Sequence, residues 1–198
     1  MSLKISQPFL NFSNFTKTEQ RFLSIAQAKI SFHFDNLLPE VGHKYSHFIE
    51  INTLKSVYIK LIADKILLLV SRAAVLELNL ARQLEELVGE TPEKRFDIFF
   101  TQLDTNAFFK QYPVLNRLLD TFLIDFNGYL LEIFENYATE WHNLFPVELK
   151  PPTISNIKTI LMDVYPNGRS VVILHLKMIK NGFINPVIYL SMQHFRPF

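Results

Sequence analysis

The residues best equipped for chemistry in this 198-residue chain lie in one short run, Met162-Asp163-Val164-Tyr165-Pro166-Asn167-Gly168-Arg169-Ser170-Val171. A carboxylate and a guanidinium flank a Pro-Asn-Gly turn just before a segment rich in Val and Ile. A turn holding Asp163 and Arg169 can bind a phosphoryl group or position a proton donor. The same residues also suit a plain polar hairpin turn with a local Asp–Arg interaction.

The histidines offer less. They stand at 33, 43, 47, 142, 175 and 194, and only His43 and His47 have the i,i+4 spacing of one helix face. Zinc takes three or four protein ligands, and no carboxylate lies between these two, so no metal site is expected. With no cysteine in the chain, disulfides, thiolate ligands and a cysteine nucleophile are excluded. Neither a Gly-rich phosphate loop nor a serine-histidine-carboxylate arrangement is visible.

Other charged groups read as structural. Glu77 sits in Leu76-Glu77-Leu78-Asn79-Leu80-Ala81-Arg82, where a carboxylate is either paired or exposed on a narrow polar stripe. Glu77, Asn79 and Arg82 are therefore assigned to an ion pair or a helix surface. Arg95 and Arg117 are expected to be anchors between helices.

These residues need elements to carry them. Thr16 or Thr18 caps a first helix with apolar positions Phe22, Leu23, Ala26, Ile30 and Phe34 at helical spacing. A short helix or loop follows through Gly42. From Ile51 to Val88 the pattern is one long helix or two joined by a bend, its middle apolar almost all round, which predicts burial. Gly89 is expected to end it, and Thr91-Pro92 to cap and start a helix over 92–103. Tyr112-Pro113 opens the most regular pattern, from Leu115 through Phe122, Tyr129 and Ile133 to Trp141.

Pro146, Pro151 and Pro152 end the helical regime. Strands are predicted from Ile157 to Met162, Ser170 to Leu176 and Phe183 to Leu190. The fold class is thus mainly α, a helical body of long antiparallel helices over 1–148, followed over 149–198 by a small C-terminal antiparallel β meander. Such a sheet needs cover on one face, from the helices or from further protein.

Composition supports a folded chain: 48% hydrophobic and 14% aromatic residues, with 19 Phe against 5 Gly, exclude a disordered or collagenous segment. The formal charge of +1 conceals an asymmetry. Residues 1–148 hold 14 basic and 18 acidic side chains, and residues 149–198 hold six and one. The basic residues of the second part are scattered among apolar ones, so no nucleic-acid binding is expected. The opening residues lack a secretory h-region, and Asp64, Lys65, Arg72 and Glu77 interrupt the greasiest stretch, so no transmembrane segment is expected and the cytoplasm is the default location. Peripheral membrane contact stays open.

Three phrases together, LELNLARQLEELVGETPEKRFDIFF, QYPVLNRLLD and MDVYPNGRSVVIL, resemble in order and spacing the amino-terminal part of the dehydratase domain of class II lanthipeptide synthetases, the LanM type. The resemblance covers about residues 50–176. In that family an apolar helix ends in L-E-L-N, a G-x-T-P-E-x-R-F joint and a Y-P-V-L-x-R helix start follow, and a D-x-H-x-x-G-R-S-V turn leads into a strand.

The resemblance implies a helical region preceding a kinase-like lobe, with the terminal strands as the start of that lobe. It implies lantibiotic biosynthesis: ATP- and magnesium-dependent phosphorylation of Ser and Thr in a precursor peptide, then elimination of phosphate. Asp163 matches the Asp of the turn, associated with elimination, and Arg169 and Ser170 match its G-R-S as substrate or phosphate contacts. Tyr165 stands where the family has histidine, and Leu190 follows Tyr189 where the family has lysine in Y-K-P-R. A tyrosine of ordinary pKa near 10 does not shuttle protons near neutrality. The expectation is a truncated, diverged dehydratase segment that binds no cofactor and is inactive alone. Its partners would be a precursor peptide or the rest of a synthetase. A stand-alone helical binding module and one piece of a split dehydratase are the alternatives.

Overall fold

A computed structural model describes residues 11–144, 151–160, 170–177 and 187–192. Its helices are α1 (Lys17–Glu40), α2 (Ile51–Gln83), α3 (Pro92–Gln102), α4 (Thr105–Gln111) and α5 (Pro113–Leu144), with a π-helical turn at Val41–Tyr45 after α1. Strands β1 (Thr153–Ile160), β2 (Ser170–Lys177) and β3 (Val187–Met192) follow. They form one antiparallel sheet in the order β1-β2-β3. The chain is mainly helical with a small antiparallel sheet, as its pattern predicts.

Local chemistry explains the joints. Thr16 is the residue that caps α1: its backbone N–H donates to Glu19 Oε2 at 2.7 Å while its Oγ1 accepts from the Glu19 N–H at 3.3 Å, a reciprocal capping box. Pro39 deprives the last turn of α1 of one N–H donor, and the helix widens into the π turn two residues later. Thr91 caps α3 and Asp104 caps α4 through their side-chain oxygens, with Pro92 at the first position of α3.

Two differences from the sequence-based expectation stand out. The α2 helix ends at Gln83 and not at Gly89. Glu85 takes a left-handed φ of 59°, and the Glu86 and Glu85 N–H groups bond back to Ala81 O and Arg82 O, so Glu85 occupies the position usually given to glycine. The short α4 is absent from the periodicity altogether.

The described chain divides into two compact units. One takes the chain up to His33 and Ile62–Leu123; the other takes Phe34–Leu61 and the chain from Ile124 onward. The first is built on Leu23, Ile25, Ala26 and Ile30 of α1, Ile62, Ile66 and Val70 of α2, and Leu119 and Leu123 of α5, all buried. Phe22 adds edge-on ring contacts to Phe96 and Phe100 of α3.

The second unit is dense in aromatic residues. Fully buried Tyr58 lies edge-on to Phe34 and Phe126, with ring centroids 4.9 and 5.3 Å away, and donates to Asn127 Oδ1 at 2.9 Å. Tyr45 donates to Glu135 Oε2 at 2.5 Å and packs on Phe134. Tyr137 donates to Pro152 O at 2.8 Å, and the Ile154 N–H donates to Phe48 O at 2.6 Å. These bonds fasten the start of the sheet. Val172, Leu174 and Leu176 bury alternate positions of β2 as a one-faced strand must. On β1, a register shift between Ile154 and Asn156 lets Ile154 and Ile157, three apart, both be buried.

Candidate functional site

Asp163, Tyr165 and Arg169 lie outside the described residues, and so do Pro146 and His194. Of the predicted turn, Ser170 is described as the first residue of β2, paired in register with Met192. The geometry available therefore concerns the helical phrases, and these meet in the first unit.

Glu77, on α2, accepts two hydrogen bonds from the α4–α5 joint: from Tyr112 Oη at 2.5 Å and from Gln111 Nε2 at 2.9 Å. Tyr112 ends α4, and the next residue, Pro113, starts α5. Burial first, then the Glu77 carboxylate, push the Tyr112 hydroxyl up to about 12. It stays protonated and acts as a donor. Glu77 is thus a half-exposed acceptor that ties α2 to the start of α5, and its partners are neutral.

Gly89 has φ 139°, and a Cβ built on it would fall 2.9 Å from the Arg95 backbone nitrogen. Only glycine permits this approach. Arg95 Nε in turn donates to Gly89 O at 2.7 Å, while Thr91 Oγ1 accepts from the Lys94 N–H at 3.2 Å. Gly89, Thr91, Pro92 and Arg95 form a closed clasp between α2 and α3. Arg95 therefore secures its own loop, where an anchor between helices was expected. Asn79, Arg82 and Arg117 are not buried, and neither of these arginines makes an ion pair among the described residues.

The expected burial of the greasy helix is incomplete. Leu68, Val75, Leu76 and Leu80 of α2 are exposed, as is Leu84 beyond its end. The spacing of Leu76, Leu80 and Leu84 puts an apolar row along one side of the last turns.

Sequence reasoning missed one polar cluster. Lys29 Nζ lies 2.8 Å from both carboxylate oxygens of Asp120, and His33 Nε2 lies 3.1 Å from one of them. Lys29 also stands 5.3 Å over the Phe109 ring. Partial burial opposes ionisation of Asp120, but Lys29 and His33 outweigh it and hold the carboxyl below its usual range. The only local signal was the i,i+4 spacing of Lys29 and His33 on α1. On the surface, Asp97 receives Lys17 and Arg21, and the Lys17 hydrogen bond leads in lowering its carboxyl.

Among the described residues no group of three or more His, Asp or Glu is placed to hold a metal ion. His43 lies in the π turn and His47 beyond it, both exposed, with the His47 ring 3.9 Å from that of Phe48. No described helix is long and apolar enough to cross a membrane. No protein-family model matches the chain, and no curated protein matches it.

Proposed function

We propose that this chain is a segment of a lanthipeptide synthetase dehydratase of class II type, its helices the scaffold ahead of the kinase-like lobe and Asp163, Arg169 and Ser170 its contribution to a phosphate-handling turn. The observation that carries the reading is the coupling of the two helical phrases among those on which the resemblance rests. Glu77 of LELN bonds to Tyr112 of QYPVLNR, and within GETPEKRF the glycine, threonine and arginine close on one another.

On this reading the chain alone neither phosphorylates nor eliminates. Tyr165 is at the histidine position, and Leu190 stands where the family's phosphate-contacting lysine would be. Activity belongs to a composite site, with ATP and magnesium bound by other protein, in the cytoplasm where the precursor peptide is made.

The test is mass spectrometry of a candidate precursor peptide incubated with ATP and magnesium, with this chain alone and with the accompanying synthetase remainder. Water loss only in the combined mixture, abolished by Asp163→Asn, is the expected result. Neither phosphate addition nor water loss in either mixture would sink the composite-enzyme reading for that pair. The exposed apolar row of Leu76, Leu80 and Leu84 favours a second reading, a helical module that binds a precursor peptide or synthetase partner without contributing to chemistry. Co-migration with either, unaffected by Asp163→Asn, would mark that case.

A further inference from the structure

Beyond the end of α2 the chain borders an open hollow of about 200 Å³. Leu87 and Val88 contribute from the stretch after the helix, Ile98 and Phe99 from α3, and Leu103 from the residue just past its end. Ligand pockets for whole small molecules occupy roughly 300–1,000 Å³. This one is sized for a single large side chain. Its wall includes Val88, 65% exposed, an apolar side chain left in water.

The two charged residues that line the hollow, Glu86 and Asp104, are both acidic. From Glu85 to Asp104 the acidic residues are Glu85, Glu86, Glu90, Glu93, Asp97 and Asp104, and the basic ones only Lys94 and Arg95. Both cations are engaged nearby, Lys94 with Glu90 at 2.9 Å and Arg95 with the Gly89 carbonyl. Asp97 draws its counter-charges from α1, and Asp104 caps α4. Glu85 and Glu86 are exposed and make no ion pair among the described residues. Glu86 lines the hollow itself. A slot lined by five apolar side chains, with Glu86, Gln102 and Asp104 among them, matches an apolar anchor flanked by cations.

We propose that this hollow docks one large apolar side chain of a lysine- or arginine-rich peptide segment belonging to another protein. The anchor fills the space between Val88 and Phe99, and the flanking cations meet Glu85 and Glu86. The proposal stands on the hollow and its charge, independent of the dehydratase reading.

The probe is a fluorescein-labelled decapeptide of lysines and alanines with one central phenylalanine, titrated with the full chain and followed by anisotropy. Controls replace the phenylalanine by alanine, or the lysines by glutamate. Saturable binding is expected, weaker by about tenfold or more for the alanine peptide because the ring's apolar area is no longer buried. It should weaken in high salt. Val88→Asp should weaken it about tenfold with an unchanged melting temperature, since the side chain is exposed. The double variant Glu85→Lys with Glu86→Lys should weaken it several-fold and remove most of the salt dependence. Absence of saturable binding, equal binding of the phenylalanine and alanine peptides, or preference for the glutamate peptide would overturn the proposal. So would sedimentation showing a dimer of this chain that Val88→Asp dissociates, because the hollow would then serve a second copy.

Discussion

Tyr58 and Tyr112 use their hydroxyls alike, each donating to a side-chain oxygen, yet they serve opposite kinds of region. Tyr58 is fully buried in the second unit between Phe34 and Phe126, and its bond to Asn127 satisfies a polar tip carried into an apolar core. Tyr112 is partly exposed in the first unit, and its bond to Glu77 holds the α4–α5 joint to α2. In one region packing dictates position and hydrogen bonding adapts to it. In the other, individual polar contacts and one glycine dictate where the chain goes.

This contrast predicts an order of effects. Tyr58→Ala should cost most, about 3–5 kcal/mol as for other large-to-small aromatic truncations in cores, read from the urea unfolding midpoint. Stability within 1 kcal/mol of the parent (roughly the size of one net hydrogen bond) would mean that the aromatic cluster is loosely packed. Gly89→Ala should come next, roughly 1–3 kcal/mol, because it strains a left-handed backbone and drives a methyl against Arg95 N. A neutral outcome would break the claim that the clasp is backbone-determined.

Tyr112→Phe should be milder, about 1 kcal/mol, the net worth of a hydrogen bond with a partner that water can reach. Amide exchange should quicken first at the α4–α5 joint, and exchange that changed uniformly instead would erase the distinction between the two regions.

The smallest effect concerns pH. The carboxyl of Asp120 is depressed in the folded chain, so its contribution is present above the unfolded value near 4 and is lost as pH falls through the folded value. Asp120→Asn should flatten the acid limb of the stability profile and leave its shape above pH 6 close to the parent's. An unchanged acid limb would show that Lys29 and His33 do not bias this carboxyl.

Most elements were readable from periodicity, and the reasons for the exceptions are specific. Leu115, Leu119, Phe126 and Ile133 recur at intervals that only a helix can bury together, so α5 was plain. The α4 helix rests on an Asp104 cap and a few aromatic contacts over seven residues, too few turns to establish a period. The end of α2 was misplaced because Glu85 adopts a conformation that sequence reasoning reserves for glycine. The β1 bulge inverts the alternation that would have marked its inward face.

The candidate site was legible in a different sense. Glu77, Gly89, Thr91 and Arg95 were singled out by their phrases, but their bonds join residues up to 35 positions apart, and the Lys29–Asp120 pair spans 91. Spacing along the chain carries no information about such partners.

The π turn at Val41–Tyr45 constrains how this segment can change over generations. A π turn is an α turn with one residue to spare, and Tyr45, at its far end, reaches Glu135 and Phe134. Loss of one residue would return the turn to α geometry and swing the downstream chain by about 100°, taking Tyr45 off both partners. A side chain at Gly42, by contrast, would meet nothing within 4 Å. The segment behaves like a gear with some blank teeth: exposed Gly42 and His43 are free to drift, while buried Val41 and Tyr45 and the number of residues are held fixed.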